Sequence, residues 1–211
     1  HVDSSAASDV YKRQSDASET AVNGSTANNN SLTFTSANWD TPQSFTVTGV
    51  DDDLVDGTVN SILTISVVDA LSDNGFDAVA DQTVTASTTD DDVAGFTIVE
   101  LDGSTEVDES GDTDTFTVVL DAQPTSDVVI TITSSDTGEA TVTSTLTFTP
   151  ANWDTPQVAT ITGVDDDIID GSQTSTITVS IDDANSDDDF DAVADQTVSV
   201  STTDDDVAGF T

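Results

Sequence analysis

Residues 173–181 read QTSTITVSI, in which Ile177, Val179 and Ile181 alternate with Thr and Ser. The same period of two runs through Phe116, Val118 and Leu120 and through Val128, Ile130 and Ile132. Successive side chains of an extended chain point to opposite faces. This spacing therefore buries one apolar face and leaves a polar face to water. Thr and Val favour strands, and no long segment repeats apolar residues at i, i+3 and i+4. The chain reads as all-β.

Working outward from that strand, the chain repeats itself. Residues 31–96 align without a gap on residues 145–210 at an offset of 114, with 46 of the 66 positions identical. Trp39 matches Trp153 inside ANWDTPQ, and many differences conserve a core, such as Leu63 for Ile177 and Ile65 for Val179. Upstream, SDASETAV at 15–22 matches SDTGEATV at 135–142 once six extra residues are allowed in the Asn-rich loop of the first copy. The similarity stops at Ser15. Where the second copy has VVITITS, the first has HVDSSAASDVYKRQ, which holds every His, Lys, Arg and Tyr of the chain. Residues 1–14 are accordingly expected to be a non-native segment replacing the true strands. The organisation expected is a truncated repeat at 15–93, a complete repeat at 94–207 and the start of a third at 208–211, a tandem array cut from a longer protein.

The composition excludes several function classes. With 42 Asp or Glu against 2 Lys or Arg in 211 residues, the formal net charge is −40. Such a chain cannot neutralise nucleic-acid phosphates or hold an anionic membrane surface. No apolar run approaches the ~18 residues of a spanning helix, so direct membrane insertion by a helix is not expected. Acidity with few aromatics would ordinarily point to disorder, but the period-two pattern contradicts it. From Ser15 onward there is no His, Cys, Lys, Arg or Tyr. Nucleophile–base triads, Schiff bases, phosphate clamps and zinc sites are then out of reach. Paired carboxylates alone remain, and a glycosidase built on them would also need an aromatic-lined cleft. No enzyme is expected.

In the complete copy, strands are predicted at 95–100, 114–120, 127–134, 145–148, 157–162, 174–181 and 196–202. Seven short strands in this length suit a β-sandwich. If successive strands run from pole to pole, parity sends Glu109, Asp136, Asp165, Asp166, Asp170, Asp204, Asp205 and Asp206 to one end, with Asp167 nearby. Two carboxylates at ~4 Å repel by about 1 kcal/mol in water and about 4 at a near-surface effective dielectric. Summed over many pairs, this rivals a domain's stability of ~5–15 kcal/mol. Without Lys or Arg, the counter-charge must come from solution. Hard oxygen ligands in flexible loops select Ca²⁺, which takes 6–8 oxygens. Eight negative charges exceed one divalent ion, so two or more Ca²⁺ per complete repeat are expected, with the Ile168 carbonyl a natural extra ligand.

The run TGVDDDIID, the closing TTDDDVAGFT and the upstream VDESG resemble the Calx-beta domain of sodium–calcium exchangers and of large repetitive bacterial surface proteins. The resemblance implies tandem immunoglobulin-like, seven-stranded β-sandwiches that bind calcium where successive domains meet. It implies as ligands Glu109, Asp136, Asp165, Asp166, the Ile168 carbonyl, Asp170, Asp204, Asp205 and Asp206. In the first copy the matching positions are Asp16, Asp51, Asp52, Leu54, Asp56, Asp90, Asp91 and Asp92, without the upstream Glu. Gln173 stands where exchanger-type domains carry a further Glu.

The expected function is a calcium-binding structural repeat of a long extracellular or cell-surface protein, its joints stiffened by Ca²⁺ for adhesion or display. Its partners would be neighbouring repeats and, through other domains, cell-surface or matrix ligands. The alternatives are a calcium-sensing or carbohydrate-binding module, or an acidic solvated spacer without metal. The acids at 182–191 are expected to be a solvated face, and Trp39 and Trp153 to be packing plugs of a repeated turn.

Overall fold

The computed structural model describes residues 8–22, 30–101 and 103–209. Residues 1–7, the Asn-rich loop at 23–29, residue 102 and residues 210–211 lie outside them, and with them parts of the segment expected to be non-native and of the expected third repeat. The chain divides into two compact units, one of residues 1–52 and 57–91, the other of residues 53–56 and 92–211.

The first unit contributes β1 (Ser8–Gln14), β2 (Thr20–Val22), β3 (Ser31–Phe34), β4 (Val47–Gly49), β5 (Val59–Val67) and β6 (Gln82–Thr88). The second contributes β7 (Phe96–Glu100), β8 (Thr105–Asp108), β9 (Thr113–Leu120), β10 (Val128–Ser134), β11 (Ala140–Val142), β12 (Thr145–Phe148), β13 (Gln157–Gly163), β14 (Gln173–Ile181) and β15 (Gln196–Thr203). All seven strands predicted for the complete copy are present, each within one residue at either end. The two additions, β8 and β11, are short and hold one large apolar residue each, Val107 and Val142, which is why period two alone did not reveal them.

In the second unit a five-stranded sheet, β12-β10-β14-β15-β8, faces a four-stranded one, β11-β13-β9-β7. Neighbours are antiparallel except β8, which runs parallel to β15 with Asp108 opposite Thr203. Both sheets feed one core: Val128, Ile130, Phe148, Ile177, Val179 and Val200 from the first, Phe116, Val118, Ala159 and Ile161 from the second, all fully buried. The alternation read in 173–181 is seen directly, with Ile177, Val179 and Ile181 buried between less buried neighbours. The result is an immunoglobulin-like β-sandwich.

The first unit repeats the wiring. Its sheet β3-β1-β5-β6 follows the order β12-β10-β14-β15. β1 pairs Lys12 with Ile65, as β10 pairs Ile132 with Val179, so β1 occupies the place of VVITITS. Lys12 is 1% exposed there, and burial lowers its pKa. The described residues of this unit hold no counterparts of β7, β8 and β9, and its inner face is correspondingly open. Val84 is 53% exposed where the matching Val198 is 3% exposed.

Candidate metal centre

Three strand ends and two loops bring carboxylates to one pole of the second unit. β8 delivers Glu109. Because β8 lies parallel to β15, the Glu109 N–H reaches the Thr203 carbonyl (3.1 Å), and the side chain is carried inward to 1% exposure. The close approach needs glycine at the end of β13, since a Cβ on Gly163 would overlap the Asp108 carbonyl oxygen.

The loop after β13 carries Asp165, Asp166, Asp167 and Asp170, and the tail of β15 carries Asp204, Asp205 and Asp206. Gly171 ties the two together. Its backbone has φ 74°, a region that glycine enters without steric cost, and its N–H donates to Asp204 Oδ2 at 2.7 Å. Asp204 Oδ1 accepts from the Asp206 N–H at 2.8 Å. These two backbone donors hold the Asp204 carboxyl below the ordinary carboxylate range. In the 165–170 loop, Asp166 Oδ1 accepts from the Ile168 N–H at 2.6 Å.

Glu139, which the acid-run reading passed over, completes the floor. It immediately precedes β11 and is 9% exposed. Its carbonyl accepts from the Val164 N–H (2.9 Å) and from the Thr202 hydroxyl (3.4 Å). The signal that could have found it was a Glu in a Thr- and Ser-rich segment that recurs in the first copy as Glu19.

Carboxylate oxygens of Glu109, Glu139 and Asp170 lie within 4.8 Å of one another, as do those of Glu109, Asp204 and Asp206. Glu109 Oε2, Glu139 Oε2 and Asp206 Oδ2 are buried with no hydrogen-bond partner. Burial, first, and then neighbouring carboxylates push all three groups above the ordinary carboxylate range: Asp204, Asp166, Glu139 and Asp170 around Glu109; Asp170, Asp136, Asp166 and Asp204 around Glu139; Asp204, Asp167, Asp205 and Asp165 around Asp206. A divalent cation would satisfy these oxygens, and the donor set, all hard oxygen, fits Ca²⁺.

Of the other expected ligands, Asp136, Asp165 and Asp205 are exposed, and the Ile168 carbonyl accepts from the Asp170 N–H at 3.0 Å. Asp136 Oδ1 is engaged by the Gly138 N–H at 2.9 Å. In the first unit Asp90 accepts from the Gly57 N–H at 2.8 Å, as Asp204 does from Gly171. Asp16 accepts from the N–H and hydroxyl of Ser18, which lower its pKa. Leu54, grouped with the second unit, makes a parallel bridge with Gln123. Among the described residues, no trio of converging carboxylate oxygens includes Asp16, Asp51, Asp52, Asp56, Asp90, Asp91 or Asp92.

At the opposite pole, Asp187 departs from the solvated face expected of it. It is 4% exposed, and its Oδ2 accepts from the backbone and hydroxyl of both Thr125 and Ser126. Its Oδ1 takes the Asp189 N–H at the start of a short 3-10 turn. It is a structural staple whose hydrogen bonds outweigh burial and lower its pKa.

No family model matches the chain, and no curated protein matches it. Among solved structures, it is similar to the S-layer protein rSbsC(31-844), at 15% identity and a TM-score of 0.41 over 92% of this chain and 20% of that one. It is similar to the apo-form Calx CBD1 domain at 17% identity and a TM-score of 0.38, over 53% of this chain and 98% of that one. CBD12 from CALX1.2 follows at 13% identity and a TM-score of 0.31, over 85% and 69%. The chain thus spans a fifth of the S-layer protein's length. No helix among the described residues is long and apolar enough to cross a membrane.

Proposed function

We propose that the chain is part of a calcium-binding structural array of an extracellular or cell-surface protein, in which Ca²⁺ organises the acidic pole of each repeat and stiffens the joint to the next. What supports this reading above all is the set of buried, partnerless oxygens of Glu109, Glu139 and Asp206 in a unit that contains no cationic side chain. Leaving such groups unpaired is costly, and a solvated acidic face would not bury them. The joint enters through the sequence, where the closing triplet Asp90–Asp92 is separated from Ala94, the start of the next copy, by Val93 alone. A role as spacer rather than sensor is supported by the near-identity of the copies, since a spacer needs only reiteration. The role so described is binding and not catalysis.

Calorimetric titration of the full chain with calcium tests the reading, with thermal melts in EDTA and in calcium. The expected result is saturable binding of at least two ions, in the ~0.1–1 mM range of extracellular modules, and a marked rise in melting temperature. Small-angle scattering should change from a flexible profile in EDTA to a rigid one in calcium. Absence of heat and an unchanged melt would reduce the acids to surface charge.

A further inference from the structure

We infer that the open face of the first unit is an acceptor for an extended strand supplied by a partner chain. That strand carries apolar residues at alternate positions and a small residue where it meets Phe45. The inference does not draw on the calcium reading and stands or falls apart from it.

The second unit shows what covers such a face. There β9 pairs with β13, placing Phe116 opposite Ala159 and Val118 opposite Gln157. Phe116, Val118 and Leu120 of β9, with Phe96 and Val107, are buried in the core that it shares with β10, β14 and β15. The first unit reproduces the floor of that interface, and its described residues hold no cover for it. An apolar groove of about 400 Å³ remains, lined by Leu32, Phe34, Phe45, Leu63, Ile65 and Val84 among others. Val47 is 40% exposed where the matching Ile161 is fully buried.

The strand edge is open as well. β13 runs for seven residues and pairs with β9 along 157–162. The matching β4 has three residues and pairs with β2 alone, and residues 43–46 lie outside any strand. An open edge beside an apolar groove is the geometry of strand addition. Main-chain hydrogen bonds along the edge supply affinity, and alternate side chains in the groove supply selectivity.

Size selects the strand. Position 45 is Phe where the matching position 159 is Ala. A strand in the register of β9 would set a second Phe against Phe45, more volume than Phe116 and Ala159 fill together, whereas a small residue there restores the fit. The repeat's own β9 is therefore the wrong size for this face. It is also buried within its own unit, so a second copy of the chain has no free strand to give.

Peptides spanning residues 94–121 serve as probes, titrated by calorimetry against the full chain. One has the repeat's own sequence, one carries Phe116→Ala, and one carries both Phe116→Ala and Val118→Asp. The Phe116→Ala peptide is expected to bind once per chain and to raise the melting temperature of the first unit. The peptide that keeps Phe116 should bind about tenfold more weakly or worse, and the doubly changed one should not bind. Phe45→Ala in the chain should reverse the order of the first two peptides. If that variant fails to fold, the milder Phe45→Val should narrow the gap in the same direction. No binding of the Phe116→Ala peptide overturns the inference, and so does equal binding of the first two. A chain that sediments as a dimer, and as a monomer once Val84→Asp is introduced, also overturns it, because a second copy would then be the occupant.

Discussion

At Glu109, one burial acts in opposite directions with and without metal. Glu109→Gln keeps the shape of the side chain and removes a charge crowded by Asp204, Asp166, Glu139 and Asp170. The variant should melt higher than wild type in EDTA and lower in saturating calcium, a crossing that differential scanning calorimetry reads directly. A merely structural residue would lower both. Gly163 is a second point of leverage. Gly163→Ala would push a methyl into the Asp108 carbonyl, and relieving that overlap should cost about 2 kcal/mol. It should also weaken calcium binding by shifting the residue next to Glu109. Chemical denaturation and a titration of the same variant separate the two effects.

The repeated turn ANWDTPQ has its explanation at the scale of the element. Asn152 Oδ1 accepts from the Thr149 N–H (2.6 Å) and hydroxyl (2.9 Å), and Gln157 Nε2 donates to the Thr147 carbonyl (2.7 Å). Asn38, Thr35, Gln43 and Thr33 make the same bonds in the first copy. The motif is thus a self-stapled bend between β12 and β13, at the pole away from the carboxylates. Trp153 packs against the core, in keeping with a plug, whereas Trp39, expected to be one too, is 72% exposed. Asn152→Ala should cost about 1 kcal/mol, the usual worth of such bonds, with calcium affinity unchanged. Denaturant midpoints in EDTA and in calcium would show the same decrement. The strands themselves were legible because their faces differ so sharply in polarity. β8 and β11 were not, because each holds a single large apolar residue, Val107 or Val142, and nothing alternates, whereas the equally short β12 holds Leu146 and Phe148.

The whole molecule has a pH dependence set by its mutually repelling acids. Glu109, Glu139 and Asp206 titrate above the ordinary carboxylate range in the folded chain. For an acid whose folded pKa is raised, the stabilisation from proton uptake is complete below the unfolded value of about 4 and is lost as pH rises through the folded value. In EDTA the melting temperature should therefore fall as pH is raised above that range. Asp204 and Asp187, titrating low, oppose this only at more acidic pH. In calcium the trend should reverse, because the ion binds the deprotonated carboxylates. Melts in paired buffers across this range test both signs.

The sequence by itself determined the all-β class, the repeat and its 114-residue offset, seven of the nine strands of the second unit and the pole to which the acids go. Each of these follows from periodicity, and periodicity is a one-dimensional property. Parity carried Glu109, Asp170, Asp204 and Asp206 to a common end, where the structure brings their oxygens together. Only the tertiary structure decided which acids are buried. Asp165 and Asp205, in conspicuous runs, stay at the rim, whereas Glu139, outside the Asp runs, is on the floor and Asp187 is spent on a turn. Burial depends on which strand end packs over which, through contacts such as Gly163 against Asp108 and Val164 on Glu139, between residues far apart in the chain. Local pattern holds no record of those pairings.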